Sequence, residues 1–213
     1  MSLIETFEKY NVIKHGHFKL TSGRHSNTYI DKNKITTDAE LFKTVMIKLS
    51  CRTLKFNNHS IITGPAISGA VFAAALATTE NKAFVFPEKI TDPNTGNFTM
   101  EFRRGYDKFI RDKYILLIED IITTGGSVQK TIDSIIINGG NVVGVLAIWN
   151  RSEWEPSNCP IESLINQPVD SWEPENCPLC KDGVILTDPK AWLKLEMYPI
   201  LFMIHIIKNK GKT

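Results

Sequence analysis

Two adjacent carboxylates, Glu119 and Asp120, are followed by two apolar residues and then by the polar run Thr123-Thr124-Gly125-Gly126-Ser127. Gly125 and Gly126 let the backbone take positive φ and approach a ligand closely. Thr123, Thr124 and Ser127 offer hydroxyl donors. A helix starting here adds unpaired N–H groups and the positive end of its dipole, so the run can cradle a phosphate dianion. The two acids repel phosphate and instead suit the hydroxyls of a ribose, with a magnesium ion nearby. Acids on one side and a phosphate cradle on the other fit a sugar phosphate. Neither common nucleotide loop is present: there is no G-x-x-x-x-G-K-[ST], and no G-x-G-x-x-G after a strand.

These residues need a strand before them and a helix after them. Ile115 to Ile118 is a short apolar run, as in a central strand of a parallel sheet. Ser127 to Ile137 has a helical pattern that ends at Asn138-Gly139-Gly140. Ligands of open α/β sheets bind beyond the carboxyl ends of the strands, where the acids and the loop fall. The same unit occurs earlier: the strand Ser60 to Thr63, the loop Gly64-Pro65-Ala66-Ile67-Ser68-Gly69 and an alanine-rich helix. That loop reads equally as a plain turn or as a second anion site, with Ser68 and backbone amides as donors. Asn141 to Trp149 is a further, nearly continuous apolar strand, and Arg151 follows its end. An arginine there is either a surface residue or a planar fork for a carboxylate.

The string from Tyr114 to Gln129 resembles the phosphoribosyl pyrophosphate (PRPP) signature of type I phosphoribosyltransferases. The stretch Gly16 to Asp31, G-x-F-x-L-x-S-G-x-x-S-x-x-Y-x-D, resembles the N-terminal hood of orotate phosphoribosyltransferases. Read from residue types alone it is two short strands joined by a polar turn. The resemblance covers roughly residues 13 to 186. It implies an α/β type I phosphoribosyltransferase fold: a central, mostly parallel sheet flanked by helices, with a small N-terminal hood. It implies transfer of phosphoribosyl from magnesium-bound PRPP to orotate, giving orotidine 5′-monophosphate and pyrophosphate in pyrimidine synthesis. In the roles it implies, Thr123 to Ser127 hold the 5-phosphate, Glu119 and Asp120 the ribose hydroxyls, and Ser68 lies at the pyrophosphate. Ser22, Gly23, Arg24 and Tyr29 line the base pocket, and Arg151 binds the carboxylate of orotate. Many members have lysine before the Ser-Gly, where this chain has Thr21. No metal ligand from the protein is implied, because magnesium arrives on PRPP.

Between the two loops lies a third strand, Ala83 to Phe86, and the loop signal Thr91 to Asn97, after which Phe98 to Arg103 is extended again. A glycine-containing loop with cations beside an active site suits a lid over a polyanion. By resemblance, Lys89, Arg103 and Arg104 steady the pyrophosphate, in the layout of a second branch of the family. As a bare charge cluster, Arg103 and Arg104 read as a solvated face. Two other classes share the central motif: a phosphoribosyltransferase for another base, and a non-catalytic PRPP-sensing regulator.

The rest of the chain sets bounds. Its 213 residues, 42% hydrophobic, suit one phosphoribosyltransferase domain: hood about 1–35, core about 36–155, C-terminal extension about 156–213. A net charge of +2 gives no reason to expect a nucleic acid or an anionic membrane as partner. The partners expected are small molecules and, from the family, a second copy of the chain. The N-terminus lacks the long apolar core of a signal peptide, and a cytoplasmic enzyme is expected. Leu3, Ile4 and Phe7 mark a short amphipathic helix. Thr37 to Glu40 reads as a capping box with Thr37 as N-cap, opening a helix of about Asp38 to Arg52 with Leu41, Val45 and Leu49 on one stripe and Cys51 in or near the core. Ile161 to Asn166 reads as an edge strand. Cys177-x-x-Cys180 reads as a structural turn in preference to a zinc site, because Cys159 does not supply a second ligand pair and no spacing argues for His205. The apolar stretch Met197 to Ile207 is too short and too broken by proline to span a membrane. It fits packing on the body, a subunit interface or a free tail.

Overall fold

The structure, a computed structural model, describes residues 1–189 apart from Thr21 and Asn57. The apolar stretch Met197 to Ile207, His205 and Thr21 itself therefore lie outside the described residues. The chain divides into two compact units: Met1–Val12 with Lys32–Pro168, and Ile13–Asp31 with the segment from Val169 onward.

In the first unit, helix α1 (Leu3–Lys9) opens on a capping box, with Ser2 and Glu5 bonding each other's backbone amides. In the second, strands β1 (Ile13–Lys19) and β2 (His25–Ile30) form an antiparallel hairpin with an irregular register between His15 and Phe18. Residues 169–189 flank that hairpin. Trp172 exchanges backbone hydrogen bonds with His25, and Thr187 bonds the backbone of His17 and Lys19.

Back in the first unit, the short helix α2 (Asn33–Thr37) precedes α3 (Ala39–Thr53). The cap of α3 differs from the sequence expectation. Asp38 is the N-cap, its Oδ1 accepting from the Leu41 amide at 2.9 Å. The Thr37 hydroxyl is engaged elsewhere, donating to Asn33 O at 2.9 Å inside α2. Leu41, Val45 and Leu49 form the buried stripe of α3 as expected. Cys51 is exposed, contrary to its reading as core. Two residues past Leu49, it is turned about 200° from the stripe.

The remaining elements are, in order, β3 (Ile61–Thr63), α4 (Ser68–Glu80), β4 (Ala83–Phe84), the hairpin β5 (Glu88–Thr91) and β6 (Phe98–Glu101), β7 (Tyr114–Ile122), α5 (Gly126–Ile137), β8 (Asn141–Asn150) and β9 (Ile161–Asn166). Five strands form one sheet in the order β4-β3-β7-β8-β9, and every neighbouring pair is parallel. The α/β fold with a parallel central sheet is thus as read from the sequence. Strand β9 is an edge strand, again as read. The third strand is shorter than the expected Ala83–Phe86, because its three-residue neighbour β3 pairs only with Ala83 and Phe84. Ile115, Leu116, Leu117 and Ile118 have no exposed surface, which explains their unbroken apolar run.

The connections out of β3 and β7 run in opposite directions across the sheet. Strand β3 leads through α4 to β4 on one side, and β7 leads through α5 to β8 on the other. A crevice opens where such connections diverge, beyond the carboxyl ends of the two strands.

Candidate active site

Strand β7 continues five residues beyond its last pairing with β3, at Thr63↔Leu117, and this overhang carries the acids. Both are buried. Glu119 Oε1 accepts from the Asp120 amide at 3.0 Å, and Asp120 Oδ1 accepts from the Ile121 amide at 2.6 Å. Asp120 Oδ2 lies 2.8 Å from Lys32 Nζ, the one charge-compensating contact of the pair among the described residues. Burial pushes the Glu119 carboxyl well above its ordinary range, and the Asp120 charge beside it adds to the rise. Glu119 therefore holds its proton more tightly than an exposed glutamate, while Asp120 has an ammonium partner. Lys32 was not singled out in the sequence. It stands 88 positions from Asp120, beyond any local pattern.

The loop after β7 turns at Gly125, which has φ +71° and is the N-cap of α5. A glycine cap has no side chain to bond the first helical amides, so they face outward for a ligand. A Cβ at Gly125 would overlap the Trp154 indole, which lies against this turn. Thr123 and Thr124 are exposed, and Gly126 and Ser127 half-buried. The loop after β3 has the same construction. Helix α4 also starts without a side-chain cap, and Ser68 is its first residue. Gly64 and Gly69 admit it against β7: a Cβ at Gly69 would stand 2.9 Å from Ile118 O and 3.0 Å from Glu119 Oε1. Two uncapped helix N-termini thus flank the acids.

Arg151 follows β8, its amide donating to Ile122 O at 3.0 Å, so it adjoins the end of β7. Asn150 builds the turn here, its Oδ1 accepting from the Ser152 amide and hydroxyl, each at 3.1 Å. Arg151 is half-buried, and desolvation lowers its pKa. No carboxylate among the described residues pairs with it. A partly desolvated, unpaired guanidinium favours an anionic ligand.

The structure thus brings together Glu119, Asp120, Thr123 to Ser127, Ser68 and Arg151, and adds Lys32 and Trp154. The other sequence candidates are engaged elsewhere. Lys89, on β5, sets its ammonium 4.1 Å from the Phe98 ring centre, with Lys130 at the same distance. Arg103 pairs with Glu101 at 2.9 Å and Arg104 with Glu88 at 2.7 Å, and both side chains are largely exposed. Ser22, Gly23, Arg24 and Tyr29 belong to the second unit. There Gly23 turns the chain at φ +88°, and the Ser22 hydroxyl accepts from the Arg24 amide at 3.4 Å. Arg24 itself pairs with Glu173 and Ser171, and the Tyr29 ring centre lies 5.6 Å from that of Phe18.

No family model matches the chain. A protein of Thermoanaerobacter sp. named orotate phosphoribosyltransferase is 36% identical over 190 residues, covering 88% of this chain and 95% of that one. One of the same name from Carboxydothermus hydrogenoformans is 34% identical over 194 residues, covering 89% and 96%. Among solved structures, orotate phosphoribosyltransferase from Aeropyrum pernix superposes with a TM-score of 0.63 at 22% identity, over 76% of this chain and 92% of that one. Adenine phosphoribosyl transferase from Trypanosoma brucei gives 0.60 at 21% identity, over 92% and 93%. At such low identity the superpositions carry the fold, which enzymes named for different bases share. The sequence relatives carry more: with 36% identity along 88% of its length, the chain belongs to the orotate phosphoribosyltransferase family.

Proposed function

We propose that this protein transfers the 5-phosphoribosyl group of magnesium-bound PRPP to orotate, forming orotidine 5′-monophosphate and pyrophosphate. One observation carries this reading: the buried Glu119-Asp120 pair stands at the sheet's switch point between two helix N-termini that no side chain caps. That layout supports a ligand with a hydroxylated ring and an anionic group on either side. The 5-phosphate takes the amides and hydroxyls of Thr123 to Ser127, and the pyrophosphate meets the α4 N-terminus at Ser68. Asp120 and Glu119 accept from the ribose hydroxyls. The bond from C1 of the ribose to a pyrophosphate oxygen breaks with its electron pair leaving on that oxygen, one from C1 to a ring nitrogen of orotate forms, and the proton lost from that nitrogen leaves with the pyrophosphate. Positive charge grows on the ribose at the transition state, and the Asp120 carboxylate stabilises it there. The chemistry is mostly positioning and electrostatics. Arg151 takes the carboxylate of orotate, and the family resemblance assigns Ser22, Gly23, Arg24 and Tyr29 to recognition of the base. The hairpin cations Lys89, Arg103 and Arg104 neutralise the leaving pyrophosphate on exchanging their present partners for it.

Magnesium is part of the substrate in this scheme. The nearby donors are carboxylate and hydroxyl oxygens, which suit a hard cation through its water shell. Since the acids already bond amides and Lys32, PRPP supplies the direct ligands. The enzyme acts in the cytoplasm as a homodimer, the arrangement implied by the family. Among the described residues, no helix is long and apolar enough to cross a membrane.

The test is the ultraviolet absorbance of orotate in the presence of PRPP and magnesium. We expect a loss that requires all three components and the protein, with no turnover of adenine or xanthine under the same conditions. Consumption of a purine with orotate untouched overturns the assignment of the base. PRPP binding without turnover of any base overturns the enzyme reading.

A further inference from the structure

Cys177 and Cys180 lack a second ligand pair in the sequence around them, and the fold provides one. His17 lies two residues before Lys19, and Lys19 pairs with His25 across the hairpin. Side chains alternate along a strand, so His17 and His25 share a face as diagonal neighbours. The Cys177-Cys180 turn meets that face. Cys177 precedes a four-residue helical turn, α6 (Pro178–Lys181), which brings both thiols to one side. Among the described residues these four ligand atoms form the one such cluster, all within 4.8 Å of one another. We propose that His17, His25, Cys177 and Cys180 form a structural zinc site that ties the β1–β2 hairpin to residues 169–189.

The distances match a metal polyhedron. His17 Nε2 lies 3.1 Å from His25 Nδ1. Cys177 Sγ lies 3.4 Å and Cys180 Sγ 3.7 Å from His17 Nε2, and Cys180 Sγ lies 3.3 Å from His25 Nδ1. A tetrahedral zinc with Zn–N of about 2.0–2.1 Å and Zn–S of about 2.3 Å spaces its ligands roughly 3.3 Å apart from N to N and roughly 3.6 Å from N to S. Two imidazoles and two thiolates at these spacings select zinc among the common divalent ions. The outer contacts agree. His17 Nδ1 lies 2.8 Å from Val184 O, so its N–H donates there and the Nε2 lone pair faces the cluster. Four protein donors leave no open position, the mark of a structural rather than a catalytic zinc. His17, His25 and Cys177 are buried, and Cys180 is exposed, giving the ion a way in.

The second unit has need of such a tie. Its buried apolar side chains among the described residues are Ile13, Phe18, Ile30, Cys177 and Pro189. A lone two-stranded hairpin is marginal in water, and units this small depend on staples. The ligands come from both stems of the hairpin and from a segment about 150 positions later. Closing so long a loop restricts the unfolded chain most. The loop Ser22 to Arg24 lies between the two histidine stems, so the ion also fixes its base.

The test reads metal, not turnover, so it stands or falls apart from the proposed activity. Protein purified without chelator and dialysed against metal-free buffer should retain about one zinc per chain. Cobalt-exchanged protein should show thiolate-to-metal charge transfer and the strong ligand-field absorption of a tetrahedral site. His25→Asn, which leaves three protein donors, should lose the ion on dialysis, while His25→Cys, which keeps four ligands, should hold it. Cys51→Ser should be neutral. If His25→Asn fails to fold, thiol titration of the parent protein decides: Cys180 should react far more slowly than the similarly exposed Cys51 until a zinc chelator is added. Absence of retained metal, a weak octahedral cobalt spectrum, a Cys177–Cys180 disulfide in freshly purified protein, or Cys180 reacting as fast as Cys51 each overturns the proposal.

Discussion

Asp120 and Glu119 are neighbours in sequence and opposites in electrostatics. Asp120 has the Lys32 ammonium at 2.8 Å, whereas for Glu119 burial and the like charge of Asp120 outweigh the amide donor and the more weakly felt Lys32 charge. Replacing Asp120 by Asn should lower turnover by roughly 10²–10³-fold, the usual effect of removing one preorganised electrostatic group. Circular dichroism of the variant should match the parent, and near-normal turnover would remove Asp120 from its role. Glu119 yields a pH prediction. Its folded-state pKa is raised, so between the unfolded and folded values the native protein binds more protons than the unfolded chain. Stability therefore falls as pH rises through that window, and the cost persists above it. Glu119→Gln should raise the melting temperature at neutral pH, and the difference should vanish at pH values below the ordinary glutamate range. A difference independent of pH would mean that charge burial is not its cause.

Two elements are set by single residues at their starts. Helix α3 begins at Asp38, whose carboxylate holds the Leu41 amide. Asp38→Ala should cost about 1 kcal/mol and lower the melting temperature by about 2–4 °C, while Thr37→Ala should cost less. The reverse order would restore Thr37 as the cap. Helix α5 begins at Gly125, where the backbone is left-handed and the Trp154 ring occupies the space of a side chain. Gly125→Ala should destabilise by about 1–2 kcal/mol from backbone conformation alone and raise the KM for PRPP. An unchanged KM would detach this turn from the phosphate.

For the whole molecule, the family implies a dimer in which the lid of one subunit reaches the site of the other. In the function proposed above the hairpin β5–β6 takes that part, and its cations pair within the hairpin or meet Phe98. Light scattering should give twice the mass of one chain. Mixing inactive Lys89→Ala and Asp120→Asn proteins should restore activity, because a mixed dimer holds one site with both residues intact. A monomer, or no recovery on mixing subunits that exchange, would place each lid over its own site.

Residue order alone specifies the sheet's central strand and the local machinery around it. Ile115 to Ile118 had to be buried on both faces, and the acids, the Thr/Gly loop and the uncapped helix follow within a dozen residues, so their relation is fixed by covalent proximity. Such local order, with the strand–helix alternation, was also enough to reveal the family. Tertiary structure decided what depends on distant partners. Lys32 reaches Asp120, Trp154 covers Gly125, and Gly69 brings α4 against Glu119. The Cys177-Cys180 turn showed the limit most plainly. Read locally it lacked ligands, because its partners alternate on a hairpin about 150 positions earlier. Periodicity tells which face of a strand a histidine occupies, but only the folded chain sets which segment lies against that face.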